Sequence, residues 1–416
     1  MAINKEKTRD LLDSIDELFD LLVGDMSEKN KYFLKKHIMG PAMEEIRTLV
    51  DESRPPVMML MGRSGHGKSS LINALSGKKV AIVNDIKPQE PETVPYTITF
   101  PETFSTWSVI DTRGIFESTK PDGAEEDDAI ELLKNGVIKH TPDVILHLIS
   151  SPEIRTFQND LVVYNEIMDE VEKRQKVKIP TILVLTKPDT LGNPREWPPE
   201  EYPKKAGILT DKLDYTLNEV LKIESSSFNN NVPYYGYLTK GDHYVGVIPV
   251  SALEDDLWNI NSLSNLIGKN LEESAKLDFF QAQRNTEQLK KISSSLIKRF
   301  SAIAGGVGAN PIPAADIFIL TPLQFLMIAT IAGLSGREVS KETVYEYLSA
   351  LGINLGAAVG LREGARQIAK FIPIGGSVIS GSIAGGATYA IGKSAEAYFF
   401  SGEKKEPEKF INENEG

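Results

Sequence analysis

With 416 residues the chain is longer than one typical domain, and its net charge of −12 argues against nucleic acid as a partner. Its charged and apolar fractions, 25% and 41%, are ordinary for a globular protein, so two or three folded units are expected. The lack of Cys excludes disulfides, thiolate metal sites and Cys nucleophiles, and is compatible with a reducing cytoplasm.

The opening stretch, MAINKEKTRDLLDSIDELFDLL, lacks the apolar core and small-residue cleavage site of a secretory leader. Leu11, Leu12, Ile15, Leu18, Phe19 and Leu22 recur at helical spacing over residues 7–23, with acids on the other face. A second helical stretch, 29–52, is expected to kink or break at Gly40-Pro41, because proline removes a backbone donor. These N-terminal helices, residues 1–54, are expected to pack on the C-terminal region or on a partner.

Residues 57–61 then read as a short buried strand and Ser69–Leu75 as the start of a helix. Between them, Gly62-Arg63-Ser64-Gly65-His66-Gly67-Lys68-Ser69 fits the phosphate-loop spacing of Gly, any four residues, Gly, Lys, Ser or Thr. Glycines let the backbone wrap an anion with its N–H groups pointing inward, at the positive end of the following helix. Contacts to a nucleotide are expected along the run from Gly62 to Ser70, with Lys68 on the terminal phosphates and the Ser69 hydroxyl on magnesium.

An alternation of strands and helices follows, the pattern of a mostly parallel sheet covered on both faces. Strands are predicted at 106–110, 143–149, 181–185 and 245–250, with a helix near 158–175. A long segment between the last two strands carries a predicted helix near 205–226 and a polar loop, Ser225–Asn231. Ligands in such sheets bind at the carboxyl ends of the strands, and three further pieces fall there. Asp111-Thr112-Arg113-Gly114 supplies an acid for magnesium and the Gly114 N–H for a terminal phosphate. Thr186-Lys187-Pro188-Asp189 selects guanine: a carboxylate accepts from N1–H and the 2-amino group, which adenine cannot offer, while the Lys187 stem lies along the base. Ser251-Ala252 adds a backbone N–H near guanine O6.

From about residue 270 the composition shifts. A long amphipathic helix is predicted over 270–303, punctuated by Gly305–Pro313, and the rest is Ala/Gly-rich and apolar. Ile317–Leu334 is nearly as apolar as a membrane span, although Thr321, Pro322 and Gln324 lie inside it. Gly352, Gly356, Gly360 and Gly364, and later Ser377, Gly381 and Gly385, put small residues on one helix face, a spacing that lets helices approach closely. Residues 402–416 are polar and predicted to be disordered.

Carrying GRSGHGKS, DTRG, TKPD and SA, residues 57–268 resemble a GTPase domain of the Era/TrmE-like branch. The resemblance implies an α/β, Ras-like fold with a mostly parallel sheet, magnesium-dependent binding of GTP and GDP, and slow hydrolysis. It also implies a switch loop between Asn84 and Phe100, from which Thr93 (or Thr97) reaches magnesium. Lys68, Thr93 and Gly114 are then the expected catalytic groups. Ile115 stands where a water-orienting Gln would be, so catalysis would draw on another group, for example Arg63 across a homodimer of G domains. The C-terminal part resembles a helical domain of unknown function found on some bacterial GTPases, and the layout is similar to that of the immunity-related GTPases.

The expected organisation is therefore N-terminal helices 1–54, a GTP-binding domain 55–268, an all-α domain 269–401 and a tail 402–416. His66 and His147 read as loop lining and strand packing rather than metal ligands, and Glu125–Asp128 as a solvated first turn. The leading expectation is a cytoplasmic GTP-hydrolysing switch that controls its helical domain. The alternatives are a GTP-regulated scaffold, self-assembling or bound to a membrane surface through residues 312–392, and a ribosome-assembly GTPase.

Overall fold

A computed structural model describes residues 5–23, 26–78, 95–103, 105–112, 126–228, 232–241, 243–308, 315–353 and 381–411. The chain divides into two compact units. An α/β unit comprises Pro55–Thr99 and Thr106–Phe279; a helical unit comprises Met1–Arg54, Phe100–Ser105 and Phe280–Gly416.

The helical unit begins with α1 (Lys5–Leu22), α2 (Glu28–Leu34) and α3 (Gly40–Asp51). The expected interruption at Gly40-Pro41 takes the form of a π turn, Lys35–Met39, in which the Gly40 N–H donates five residues back to Lys35 O. Pro41 has no N–H, and its ring would strike the carbonyl four residues earlier; the wider turn relieves both problems. Leu34, Ile38, Met39, Ala42 and Ile46 are buried, so the helix keeps an inward face across the bulge.

In the α/β unit, β1 (Val57–Met61) leads to α4 (Lys68–Ser76). There follow β2 (Pro95–Phe100), β3 (Ser105–Asp111), α5 (Glu126–His140), β4 (Val144–Ser150), α6 (Phe157–Gln175) and β5 (Thr181–Thr186). Then come α7 (Pro203–Tyr215), β6 (Ser225–Ser227), β7 (Tyr237–Thr239), β8 (Tyr244–Leu253), β9 (Asp256–Trp258), α8 (Ile260–Asn270) and α9 (Glu273–Ala282). Among the described residues the strand order is β2-β3-β1-β4-β5-β8-β7-β6, with β9 folded back on β8. The pairs from β3 through β1, β4 and β5 to β8 are parallel, and β7 and β6 extend that side antiparallel.

All residues of β4 and β5 are buried, as a strand covered on both faces requires. Their side chains join Met59, Tyr164, Leu213 and Val247 in one core. Two features differ from the sequence reading. The helix predicted near 205–226 ends at Tyr215, continues as a π turn to Leu221, and the expected polar loop opens as β6. The short strands β6, β7 and β9 lack the apolar alternation that would announce them.

The helical unit resumes with α10 (Thr286–Gly308), α11 (Ala315–Leu334), α12 (Lys341–Ala350) and α13 (Gly381–Ser401). The single helix predicted over 270–303 is two, because the chain turns at Arg284 (φ 50) between α9 and α10. Every residue of α11 from Leu320 to Leu334 is buried, with α1, α10, α12 and α13 packed against the helix. A helix that is apolar all round is stable in water only when enclosed, and α11 is the central strut of this unit. Its polar members are accommodated within the bundle: Gln324 Nε2 donates to Thr388 Oγ1 (3.0 Å) and Thr330 Oγ1 to Leu326 O (2.8 Å).

Among the described residues no helix is long and apolar enough to cross a membrane. Of the small-residue positions named above, Gly385 does permit close approach, a Cβ there lying 3.0 Å from Ser301 O of α10, whereas Gly352 (φ 86) lies beyond the end of α12 with nothing within 4 Å of a Cβ. A Cβ on Gly392 would lie 2.8 Å from the Ile297 side chain, so α13 meets α10 nearly backbone to side chain. Gly356, Gly360, Gly364 and Ser377 lie outside the described residues. Residues 402–411 also depart from the expected disordered tail. They end in a 3-10 turn, Pro407–Phe410, with both named residues buried, and Ser394 Oγ donates to Lys405 O.

Candidate nucleotide-binding site

The site is assembled by strand register. Leu60 stands opposite both Asp111 on β3 and Leu146 on β4, and Thr186 stands opposite Ser150 and Val250. The loop after β1, Asp111, the 186–189 turn and Ser251 therefore emerge along one carboxyl edge of the sheet, where open parallel sheets hold their ligands.

The loop's conformation depends on its first glycine. Gly62 has φ 144, and a Cβ there would lie 2.5 Å from Leu148 O, so no other residue fits between β1 and β4. Gly67 (φ 85) is the N-cap of α4, so the first turn of that helix opens onto the same edge. Lys68 is buried, and its ammonium donates to Gly62 O (2.6 Å) and Arg63 O (3.2 Å), lying against the loop's own backbone. Ser69 is half-buried; Ser64, Gly65 and Ser70 are exposed.

Two loop side chains have partners that the sequence did not disclose. Arg63 makes a two-pronged pair with Asp160 of α6, Nη2 to Oδ1 at 2.8 Å and Nε to Oδ2 at 3.2 Å. His66 is buried, with Nε2 3.1 Å from Glu153 Oε2. A carboxylate only accepts, so Nε2 is the donor there, while Nδ1 lies within reach of both the Arg63 N–H (3.2 Å) and Leu148 O (3.0 Å). His66 thus lines and braces the loop. His147 is a core residue: Nδ1 meets Tyr244 OH (2.9 Å), and burial, followed by the charge of His66, lowers its pKa to about 3.

Thr112, at the end of β3, is buried and clips that strand to β1 through Leu60 O, by its hydroxyl (3.0 Å) and its N–H (3.2 Å). Asp111, half-buried just before it, is thereby placed beside the loop. Thr93, Gly114 and Ile115 lie outside the described residues.

In the 186–189 motif each side chain is set differently. Thr186 is buried and donates to His66 O (2.9 Å) and Ile149 O (3.3 Å), tying the base-side turn to the phosphate loop. Lys187 adopts φ 55 and is exposed. Asp189 sits in a 3-10 turn, and its Oδ1 is buried with no hydrogen-bond partner. Ser251, inside β8 rather than after it, has a buried hydroxyl that also lacks a partner. Buried polar atoms are rarely left unpaired, and these two lie at the carboxyl edge of the sheet, where a ligand's polar groups could pair with them. Asp256, across the β8–β9 hairpin, has its carboxyl raised above the usual range by burial and then by the charge of Asp189.

Comparison with known proteins finds relatives for both parts of the chain. Residues 57–187 match the family model described as 50S ribosome-binding GTPase. These residues form a P-loop GTPase domain. Residues 274–414 match the model of a domain of unknown function. GTPase Der of Thermosipho africanus is 29% identical over 144 residues, 31% of this chain and 31% of its own length. The tRNA modification GTPase MnmE of Burkholderia ambifaria is 30% identical over 196 residues, 45% of this chain and 37% of its own. The chain thus spans about a third of the length of the curated relatives it matches. Among solved structures, Era in complex with MgGDPNP and a segment of 16S ribosomal RNA is 22% identical, covering 53% of this chain and 58% of its own, with a TM-score of 0.33.

The GTPase domain has the Ras-like fold expected of it, a mostly parallel sheet with helical regions before and after it. The expectation that nucleic acid is no partner draws no support from these relatives, whose names include ribosome binding and tRNA modification.

Proposed function

We propose that the chain is a GTP-hydrolysing switch: it binds guanine nucleotide with magnesium, turns GTP over slowly, and changes the state of its helical unit with the bound nucleotide. The observation that carries this reading is the unpartnered, buried Asp189 Oδ1 on the same sheet edge as the phosphate loop. Guanine presents two donors to such a carboxylate, and adenine presents none in that position.

In this reading the N–H groups from Gly62 to Ser70 and the Lys68 ammonium bind the phosphates, while Thr186, Lys187, Asp189, Ser251 and Ala252 hold the base. Ser69 and Asp111, a hydroxyl and a carboxylate, are the hard oxygen donors that suit magnesium, with Thr93 as a third; the ion, when bound, neutralises charge between the terminal phosphates. Ile115 can neither orient nor deprotonate water, so an isolated molecule is slow, on the order of 10⁻⁴ s⁻¹ as for unassisted Ras-like domains. A second copy of the chain, with Arg63 released from Asp160, is the proposed source of the missing charge.

The deciding experiment is calorimetric titration of the full chain with GDP, GTP and ATP. Tight binding of both guanine nucleotides, and loss of it in Asp189→Asn by roughly four to five orders of magnitude, is expected of a site built on paired hydrogen bonds. Equal affinity for ATP and GTP would overturn the reading. A second reading, action on the ribosome, is favoured by the family description of residues 57–187. Co-sedimentation with ribosomal particles in GTP but not GDP would support it.

A further inference from the structure

Lys205 is the most unusual cation of the α/β unit. It lies in the first turn of α7, it is a lysine, and it is 0% exposed. Buried ammonium groups are retained only where their donors are satisfied. Here the ammonium donates to the backbone carbonyls of Asp189 (2.9 Å) and Leu191, and the Trp197 ring lies 5.9 Å away. Both carbonyls belong to the turn that carries Asp189, whose own bonds are short-range: Thr190 Oγ1 and N–H to Lys187 O (2.7 and 3.2 Å), and the Leu191 N–H to Pro188 O (3.2 Å). Those bonds close the turn on itself, Thr186 anchors its start, and Lys187 enters it at φ 55, a conformation that costs energy in a residue with a side chain; Lys205 is what holds its far end.

We propose that Lys205 is a positioning residue for guanine selection: by holding the Asp189 and Leu191 carbonyls, it fixes the Asp189 carboxylate where both guanine donors reach it. The inference rests on the nucleotide reading above and goes beyond it, since no part of the TKPD pattern includes Lys205. The chemistry is specific to an ammonium. Two carbonyl oxygens need two donors from one centre, and the Lys205 ammonium supplies both. Burial lowers the pKa of Lys205, and the Asp189 and Glu196 carboxylates partly oppose that effect.

The test compares GDP with inosine diphosphate, which keeps N1–H and lacks the 2-amino group. In the full-length wild type, GDP should bind more tightly than the inosine form; if it does not, the nucleotide reading itself fails. In Lys205→Met the preference should fall by about tenfold, roughly the worth of one hydrogen bond to a charged acceptor. Lys205→Arg should restore part of it, while Lys205→Gln, a milder loss that keeps two donors on a shorter, uncharged side chain, should lie between. If Lys205→Met does not fold, Lys205→Gln alone carries the test, with folding checked by thermal unfolding. Unchanged preference in a folded variant, with affinities for both nucleotides falling together or not at all, would overturn the proposal and leave Lys205 a structural brace.

Discussion

Thr186 shows how a motif residue can brace the site through its side chain. Its hydroxyl joins the carbonyls of His66 and Ile149, so the base-side turn and the phosphate loop are held by one side chain. Thr186→Val keeps the shape and strands those carbonyls in a buried setting. The substitution should destabilise the protein by about 1–3 kcal/mol, read as a lower denaturant midpoint. His147 yields a pH prediction. Its folded pKa of about 3 lies below the ordinary 6.5, so the unfolded chain binds the extra proton as pH falls. The stability this group contributes is complete above about pH 6.5 and is lost on the way down to about pH 3, at up to about 1.4 kcal/mol per pH unit. In His147→Gln, which does not titrate, unfolding free energy between pH 6 and 4 should vary less steeply; an equal slope would assign the pH dependence to the carboxylates.

At the level of elements, α10 and α13 meet where glycine leaves room. Gly392→Val would drive two methyl groups toward Ile297, and overpacking of this kind costs about 1–3 kcal/mol, to be measured by thermal unfolding. The strands that carry the site were legible in the sequence because parallel strands buried on both faces are mostly apolar, and 144–150 and 181–186 are buried throughout with only His147, Ser150, Thr181 and Thr186 polar. The motifs at their ends were legible because glycine, lysine and aspartate spacing reflects backbone wrapping and base pairing. What the sequence could not disclose was which partner each side chain takes. Arg63 with Asp160, His66 with Glu153 and Lys205 with the Asp189 turn are contacts across long stretches of chain, and no periodicity encodes them. The apolar run in α11 was ambiguous for a different reason: enclosure by protein and enclosure by lipid select the same residues.

For the whole molecule, ligand linkage gives the simplest test. Magnesium with GDP at a hundredfold excess over its dissociation constant should stabilise the folded chain by about 2.7 kcal/mol, and Lys68→Ala should reduce the accompanying rise in Tm. Turnover per molecule should climb with protein concentration if a second copy completes the site. Asp160→Ala, which frees Arg63, should steepen the climb, and Arg63→Ala should flatten it. A flat dilution series in the wild type would place the missing group in an activator or elsewhere in this chain.

The turn Phe100–Ser105 lies between two strands of the sheet, yet it belongs to the helical unit, and in it Phe100, Thr103 and Ser105 are buried. The backbone therefore passes from one unit to the other at 54/55, at 99/100, at 105/106 and at 279/280. Such a chain cannot be unbuttoned at a single linker. A fragment cut as 55–279 would carry residues 100–105 away from the unit to which they belong. The fragment should be less soluble and melt lower than the same unit within the full chain, and a fusion that exchanged one helical partner for another would have to rewrite this turn as well as the two ends.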